Sequence, residues 1–240
     1  MQIVILAGGE GTRLKSLTKS IPKPMVTIGN VPFLEILIKH LASQGFKDFH
    51  IILGYLPDYI PSYFIKNNNF ELNISYSGDS KNLYRGTGGA LKNAEPDLED
   101  NFILLFGDTF LALDYQRLAK SHLNSPGKAV LVVYNNEINA DVINNIALDE
   151  NNMVTKYNKN SVESLEYVDA GSISCSKDVL RYIKKDQNIS LEEMVYPKLI
   201  KHKELYALKA KEKFYDIGTP ERLKAFELYY YDNLKNTPKN

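Results

Sequence analysis

The stretch that most constrains this chain lies at its start. The apolar run Ile3-Val4-Ile5-Leu6-Ala7 empties without a spacer into Gly8-Gly9-Glu10-Gly11-Thr12-Arg13-Leu14. A short continuous apolar run bounded by turn residues reads as a strand buried on both faces. Three glycines within four positions let the backbone take positive φ and approach a ligand closely. Successive N–H groups in such a turn form an anion-binding nest. Arg13, and Lys23 within Pro22-Lys23-Pro24-Met25, add full positive charges nearby. The expectation is an open α/β sheet that holds an anion, most simply a phosphate chain, beyond its carboxyl edge.

The next segments agree. Pro32 to Leu41 places apolar groups at 34, 37, 38 and 41, the spacing of a helix face, with Gly45 as its stop, and Phe49 to Leu53 follows as a strand. Strand, helix and strand make a βαβ unit with parallel pairing. A short helix within Pro57 to Phe64, a polar turn at Asn67-Asn68-Asn69 and a strand from Leu72 to Tyr76 come next. A second glycine cluster, Arg85-Gly86-Thr87-Gly88-Gly89-Ala90-Leu91, then leads into a helix, and Phe102 to Phe106 reads as a buried central strand ending in Gly107-Asp108-Thr109. A helix from Tyr115 to Leu123 and a strand from Ala129 to Tyr134 continue the pattern. Beyond Asn135 short β-like pieces (146–148, 154–157, 168–175) lie among asparagine-rich turns, with helices near 177–184 and 191–200. Strands at Leu205 to Lys209 and Lys213 to Tyr215 precede Asp216-Ile217-Gly218, and Thr219-Pro220-Glu221 has the cap pattern of a last helix running to Asp232. The reading is one three-layer α/β/α domain over residues 1–240 with a mostly parallel, Rossmann-like mixed sheet. Its halves divide at about 134, the second reaching 235. No internal repeat is present.

Composition limits the partners. Lys+Arg and Asp+Glu both number 29, a formal net charge of zero, so neither a nucleic acid nor a membrane surface is expected as partner. No apolar run approaches the roughly 18 to 20 residues of a membrane span. The chain opens directly on a strand without a basic leader, and one cysteine rules out an intrachain disulfide. A cytoplasmic location is the expectation. Cys175, in an alternating stretch, reads as a half-buried residue rather than a nucleophile, and the four histidines show no metal-ligand spacing. Tyr229-Tyr230-Tyr231 reads as packing or a subunit interface, and a homodimer is carried as an expectation.

Two common glycine-loop explanations fail on spacing. A dinucleotide fingerprint counted from Gly9 meets Leu14 where its third glycine belongs, and the second strand ends in Gly54-Tyr55 rather than in a ribose-binding acid; a P-loop needs Gly-Lys-Ser/Thr, which does not occur. The whole set instead resembles the signature of the sugar-1-phosphate nucleotidyltransferases, the nucleoside-diphosphate-sugar pyrophosphorylases. The resemblance runs from Leu6 to Leu14 and Pro22 to Met25 through Gly86 to Leu91, Phe106-Gly107-Asp108, Asp169-Ala170-Gly171 and Phe214 to Pro220. It implies the nucleotide-diphospho-sugar transferase fold, and a reaction in which a sugar 1-phosphate oxygen attacks the α-phosphorus of a nucleoside triphosphate and pyrophosphate leaves.

By that resemblance Arg13, Lys23 and Asp108 are catalytic. Leu6, Ala7, Gly8, Gly9, Gly11, Thr12, Arg13, Lys23, Gly86, Thr87 and Gly88 bind the nucleotide. Gly107, Asn158, Lys159, Asp169 and Gly171 serve the sugar phosphate, and Asp108 and Asp216 hold Mg²⁺. The chain departs from the family pattern on the sugar side: a common Phe-x-Glu-Lys-Pro appears as Lys156-Tyr157-Asn158-Lys159-Asn160, and a common Asn-Ala-Gly as Asp169-Ala170-Gly171. Both suggest an altered sugar specificity. The nearest group is the heptose and mannose 1-phosphate guanylyltransferases, serving a surface polysaccharide or glycoconjugate. Uridylyl, thymidylyl or cytidylyl transfer to a glucose-type 1-phosphate stays open, as does a catalytically silent regulatory subunit that binds nucleotide sugar.

Overall fold

The computed structural model describes residues 1–67, 71–78, 85–135, 143–158, 165–185 and 187–235, without the side chains of Lys15 and Ser16. In chain order the elements are β1 (Gln2–Leu6), β2 (Thr27–Ile28), β3 (Val31–Pro32), α1 (Phe33–Ser43), β4 (Asp48–Leu53), α2 (Tyr59–Asn67), β5 (Asn73–Gly78), α3 (Gly86–Asn93), β6 (Asn101–Phe106), β7 (Thr109–Leu111), α4 (Tyr115–Leu123), β8 (Ala129–Asn135), β9 (Ile146–Leu148), β10 (Val154–Tyr157), β11 (Tyr167–Ser176), α5 (Tyr196–Lys201), β12 (Leu205–Ala210), β13 (Phe214–Asp216) and α6 (Pro220–Tyr229). Short 3₁₀ turns cover Thr12–Thr18, Lys23–Met25, Glu95–Asp97 and Lys177–Tyr182, and π-type turns lead into α5 and extend α6. The asparagine turn at 68 and 69, the segment 159–164 and the tail 236–240 lie outside the described residues.

The main sheet has the order β10-β9-β11-β6-β1-β4-β5, with β8 pairing β11 and β12 on a branch. β6, β1, β4 and β5 run parallel, as the βαβ reading requires. β12 is parallel to β8, while β11 runs antiparallel to both β6 and β8. A strand from beyond Asn135 thus lies between two strands from before it, and one sheet continues through both halves of the sequence.

Alternation along β1 explains the three layers. Ile3 and Ile5 point into one apolar layer with α1, α4 and α6, where Phe33, Leu37, Leu118 and Phe226 are buried. Val4 points into the other, with Leu91 of α3 and Tyr196 and Leu199 of α5. Burying a side chain of this size contributes about 1.5–3 kcal/mol. A change such as Ile5→Asp would place an unpaired charge between layers with no partner. Cys175 differs from the reading above: it is 2% exposed rather than half-buried, because β11 is an interior strand covered on both faces, and burial raises its thiol pKa. Among the described residues no helix is long and apolar enough to cross a membrane.

Candidate active site

The parallel strands β1, β4, β5 and β6 end at one edge, and a cavity of ≈ 740 Å³ opens there. Its floor follows from register. Phe106, Leu6, Ile52 and Ser77 stand abreast in four neighbouring strands and all line the cavity. The walls are the opening loop at Ala7, Gly8 and Gly9, the Lys23-Pro24 corner, and Arg85, Gly86 and Thr87 at the start of α3.

The opening loop is held from both sides. The Gly8 carbonyl accepts from Tyr55 N–H (3.1 Å) and the Leu6 carbonyl from Gly107 N–H (2.9 Å), so the neighbouring strand ends fix the loop's exit. Gly11 has φ 66° and begins the 3₁₀ turn Thr12–Thr18. A Cβ there would sit 2.9 Å from Lys23 Cβ, so glycine is required both by conformation and by the packing of Lys23 beneath the loop. At Gly9 a Cβ would meet nothing within 4 Å, because that part of the loop faces the open cavity.

The charged residues converge. Lys23 is 7% exposed and its ammonium pairs with the Asp108 carboxylate, joining the first motif to the end of β6. β13 pairs with β7 in a separate two-stranded ribbon that sets Asp216 opposite Thr109, and Ile217 N–H donates to the Asp108 carbonyl (3.0 Å). The two aspartates therefore meet through this antiparallel ribbon, not along the edge of the parallel sheet. Asp216 accepts from Gly218 N–H (2.8 Å) and from Arg222 Nη1 (2.9 Å). Arg13 is exposed and lies over the same turn, its Nη2 3.3 Å from where a Gly218 Cβ would stand.

The chemistry of the donors bears on Mg²⁺. Asp108 and Asp216 offer only oxygen, which suits a hard cation that keeps open positions for phosphate oxygens and water. Among the described residues no group of three or more His, Cys, Asp or Glu forms a protein cage for an ion. Asp108 on the cavity wall, with Asp216 across the β7–β13 ribbon from it, is an oxygen-only donor set that suits Mg²⁺ rather than a caged structural metal.

The second glycine cluster has a part the sequence did not reveal. Gly86 and Thr87 line the cavity, but the cluster also packs on the segment before α5: a Cβ at Gly86 would sit 2.6 Å from the Ile189 carbonyl, and the Gly88 and Gly89 N–H groups both donate to that carbonyl (2.7 and 3.3 Å). A Cβ at Gly89 would sit 2.1 Å from the Gln187 carbonyl. Thr87 Oγ1 donates to buried Glu192 (2.9 Å) and accepts from Leu191 N–H (2.9 Å), while Ser190 Oγ also donates to Glu192 (2.7 Å). Gly88, read from sequence as a nucleotide contact, is thus engaged in packing.

On the sugar side, Gly171 has φ 73° and lies against Thr109, beside Asp108. Asp169 accepts from Gly171 N–H (2.8 Å) and from Tyr157 hydroxyl (3.1 Å). Burial, with Asp169 close by, raises the Tyr157 pKa and keeps it a donor. Asn158 is exposed, with its N–H on the Asn145 carbonyl (2.9 Å), and Lys159 lies outside the described residues. Among the described residues, Arg13, Gly11, Thr12, Asp216, Asn158, Asp169 and Gly171 are not part of the cavity wall itself. Tyr55, Arg222 and Glu192 were missed from sequence. A glycine-tyrosine pair at the end of the second strand was the one available signal for the first of them.

Comparison with known proteins agrees with this geometry. The nucleotidyl transferase family model matches residues 2–232. The D-glycero-alpha-D-manno-heptose 1-phosphate guanylyltransferase of Campylobacter jejuni is 32% identical, over 92% of this chain and 96% of that protein. The crystal structure of HddC from Yersinia pseudotuberculosis complexed with GMP-PN superposes with a TM-score of 0.79 at 31% identity, covering 95% of this chain and 99% of that one. The UTP–glucose-1-phosphate uridylyltransferase of Synechocystis is 28% identical over 98% of this chain, which spans 65% of that longer protein. The chain has the nucleotide-diphospho-sugar transferase fold of its solved relatives, and it belongs to the nucleotidyl transferase family, as an enzyme of its sugar-1-phosphate group.

Proposed function

We propose that the chain transfers a guanylyl group from GTP to a heptose- or mannose-type sugar 1-phosphate, giving the nucleotide sugar and pyrophosphate. The observation that carries this reading is the convergence of motifs far apart in sequence: Lys23 on Asp108, and Ile217 on Asp108, at the mouth of a cavity floored by the first strand. The named guanylyltransferase relatives support the choice of base and sugar.

The chemistry needs no protein nucleophile, because the attacking sugar phosphate is already anionic. The protein has to hold two mutually repelling anions in line and balance charge that shifts toward the leaving pyrophosphate. The glycine loop at 8–11 cradles the triphosphate through backbone N–H groups, and Arg13 grips it from the rim. Lys23 reaches the reacting phosphate from beneath, its ammonium kept in place by Asp108. Asp108 and Asp216 are the residues that would hold Mg²⁺, which would supply charge neutralisation for the phosphates. Gly107 lets the turn after β6 pack against Leu6 and Pro24, Asp169 holds the Gly171 turn, and Gly171, Asn158 and, by the sequence pattern, Lys159 serve the sugar phosphate.

A second reading, uridylyl transfer to a glucose-type 1-phosphate, is favoured by the Synechocystis relative. Pyrophosphate release measured over a matrix of NTPs and sugar 1-phosphates decides between them. GTP with a manno-configured 1-phosphate is expected to give the highest kcat/KM. UTP with glucose 1-phosphate giving a higher value would favour the second reading, and no turnover with any pair would sink both.

A further inference from the structure

The cavity floor carries one hydrogen-bonding side chain among three apolar ones. Phe106, Leu6 and Ile52 form a flat apolar shelf, and Ser77 follows at its far end, in the same row of the sheet. Behind Ser77 lies His50, which is fully buried and held between two hydroxyls: Nδ1 is 2.8 Å from Ser75 Oγ and Nε2 is 2.8 Å from Ser77 Oγ. Ser75 Oγ in turn donates to the Phe49 carbonyl at 3.3 Å.

Counting protons along this chain sets each group's role. Burial lowers the His50 pKa, opposed only in part by the charge of Asp97, so the ring is neutral and carries one N–H. Ser75 has a single hydroxyl proton, and the Phe49 carbonyl takes it. His50 must then donate from Nδ1 to Ser75, which leaves Nε2 as an acceptor. Ser77 gives its own proton to Nε2 and turns only lone pairs toward the cavity. This is the one arrangement that makes all three hydrogen bonds at once.

We infer that Ser77 is a base-reading residue: its Oγ accepts a hydrogen bond from the donor edge of the bound nucleobase, the N1–H and 2-amino side of guanine, and His50 is the positioning residue that fixes it as an acceptor. The inference rests on the nucleotidyl transfer proposed above and adds a reason for guanine over adenine. A planar base lies over the apolar shelf, and an acceptor-only hydroxyl at its end favours an edge made of donors. Adenine presents an unprotonated N1 and no 2-amino group there, so it leaves Ser77 facing a lone pair.

The test is Ser77→Ala, with kcat and KM for GTP and the inhibition constant of ATP against GTP measured beside wild type. The expected result is a KM for GTP about tenfold higher, the scale of one lost hydrogen bond to a ligand, with kcat within about twofold, ATP inhibition not weakened, and a melting temperature lowered because buried His50 Nε2 loses its donor. His50→Phe fills the same space without either hydrogen bond and frees the Ser77 proton. It is expected to weaken GTP and strengthen ATP, the direction that loss of packing alone does not produce. A Ser77→Ala enzyme with wild-type KM for GTP and unchanged preference over ATP would overturn the inference while leaving the guanylyl transfer intact. A wild-type enzyme that turns over no NTP would instead remove the proposed function beneath it.

Discussion

At the scale of single residues, Asp108 and Gly9 separate chemistry from architecture. Asp108 has a half-buried carboxylate whose partner is Lys23, so Asp108→Asn removes a charge at the site without opening the core. Losing the carboxylate that would hold Mg²⁺ and that keeps the Lys23 ammonium aimed at the reacting phosphates is expected to cost about 10²–10³ in kcat, with an unchanged circular dichroism spectrum. Near-normal turnover at limiting Mg²⁺ would refute the assignment. The two loop glycines make a sharper pair. Gly11→Ala forces an L side chain to φ 66° and into Lys23, and should destabilise the protein by about 1–2 kcal/mol. Gly9→Ala meets nothing in the free protein, so its melting temperature should stay the same while KM for the NTP rises. If Gly9→Ala lowers the melting temperature as much as Gly11→Ala, the loop is a structural turn and its reading as a triphosphate cradle fails.

At the scale of elements, α3 is tied to the segment before α5 through one threonine. Thr87 serves both Glu192 and Leu191 N–H, and Glu192 is 9% exposed. Thr87→Val keeps the shape but leaves a buried carboxylate with one donor fewer and a backbone N–H without its acceptor, a loss of about 1–3 kcal/mol. Urea unfolding should show that loss, and hydrogen exchange should rise at 187–192 before it rises in β1. Uniform exchange across the chain would mean that the segment is not docked through Thr87. This tie also shows where the sequence stops being informative. The strands β1, β4 and β6 were legible because each is an apolar run closed by glycine, and α6 because its cap pattern marks it; Thr219 does accept from Arg222 N–H. The docking of 187–192 on Gly88 and Gly89 leaves no local trace, since the glycines look the same whether ligand or backbone lies against them. β7, three residues long, is too short for period-2 alternation to register, so 213–215 read as a strand without its partner and the meeting of Asp108 and Asp216 was readable only through the family resemblance.

At the scale of the whole molecule, the unread part of the fold is the insertion of β11 between β6 and β8, a long-range pairing that no window of sequence encodes. It buries Cys175, and the same depth of packing governs the response to acid. His40 on α1, His50 on β4 and His122 on α4 each have a pKa lowered below 6.5, with burial as the largest cause; a backbone hydrogen bond to Leu113 opposes it at His40 and the charge of Asp97 at His50. His122 shows why protonation is costly. It is 4% exposed, Nε2 meets Asn101 Oδ1 at 3.1 Å, and Nδ1 has no hydrogen-bond partner, so a second proton would have no acceptor. The sign follows from linkage. With folded pKa values below the unfolded one, the unfolded chain binds more protons, and the stability held above about pH 6.5 is lost as pH falls through the folded values. The urea midpoint should therefore be flat near pH 7.5 and decline below about 6.5, before the carboxylates begin to titrate near 4. His122→Phe keeps the ring volume, and should reduce the slope by about one proton's worth, 1.4 kcal/mol per pH unit. A midpoint independent of pH between 7 and 5.5, in wild type and His122→Phe alike, would show that these rings reach water in the folded protein.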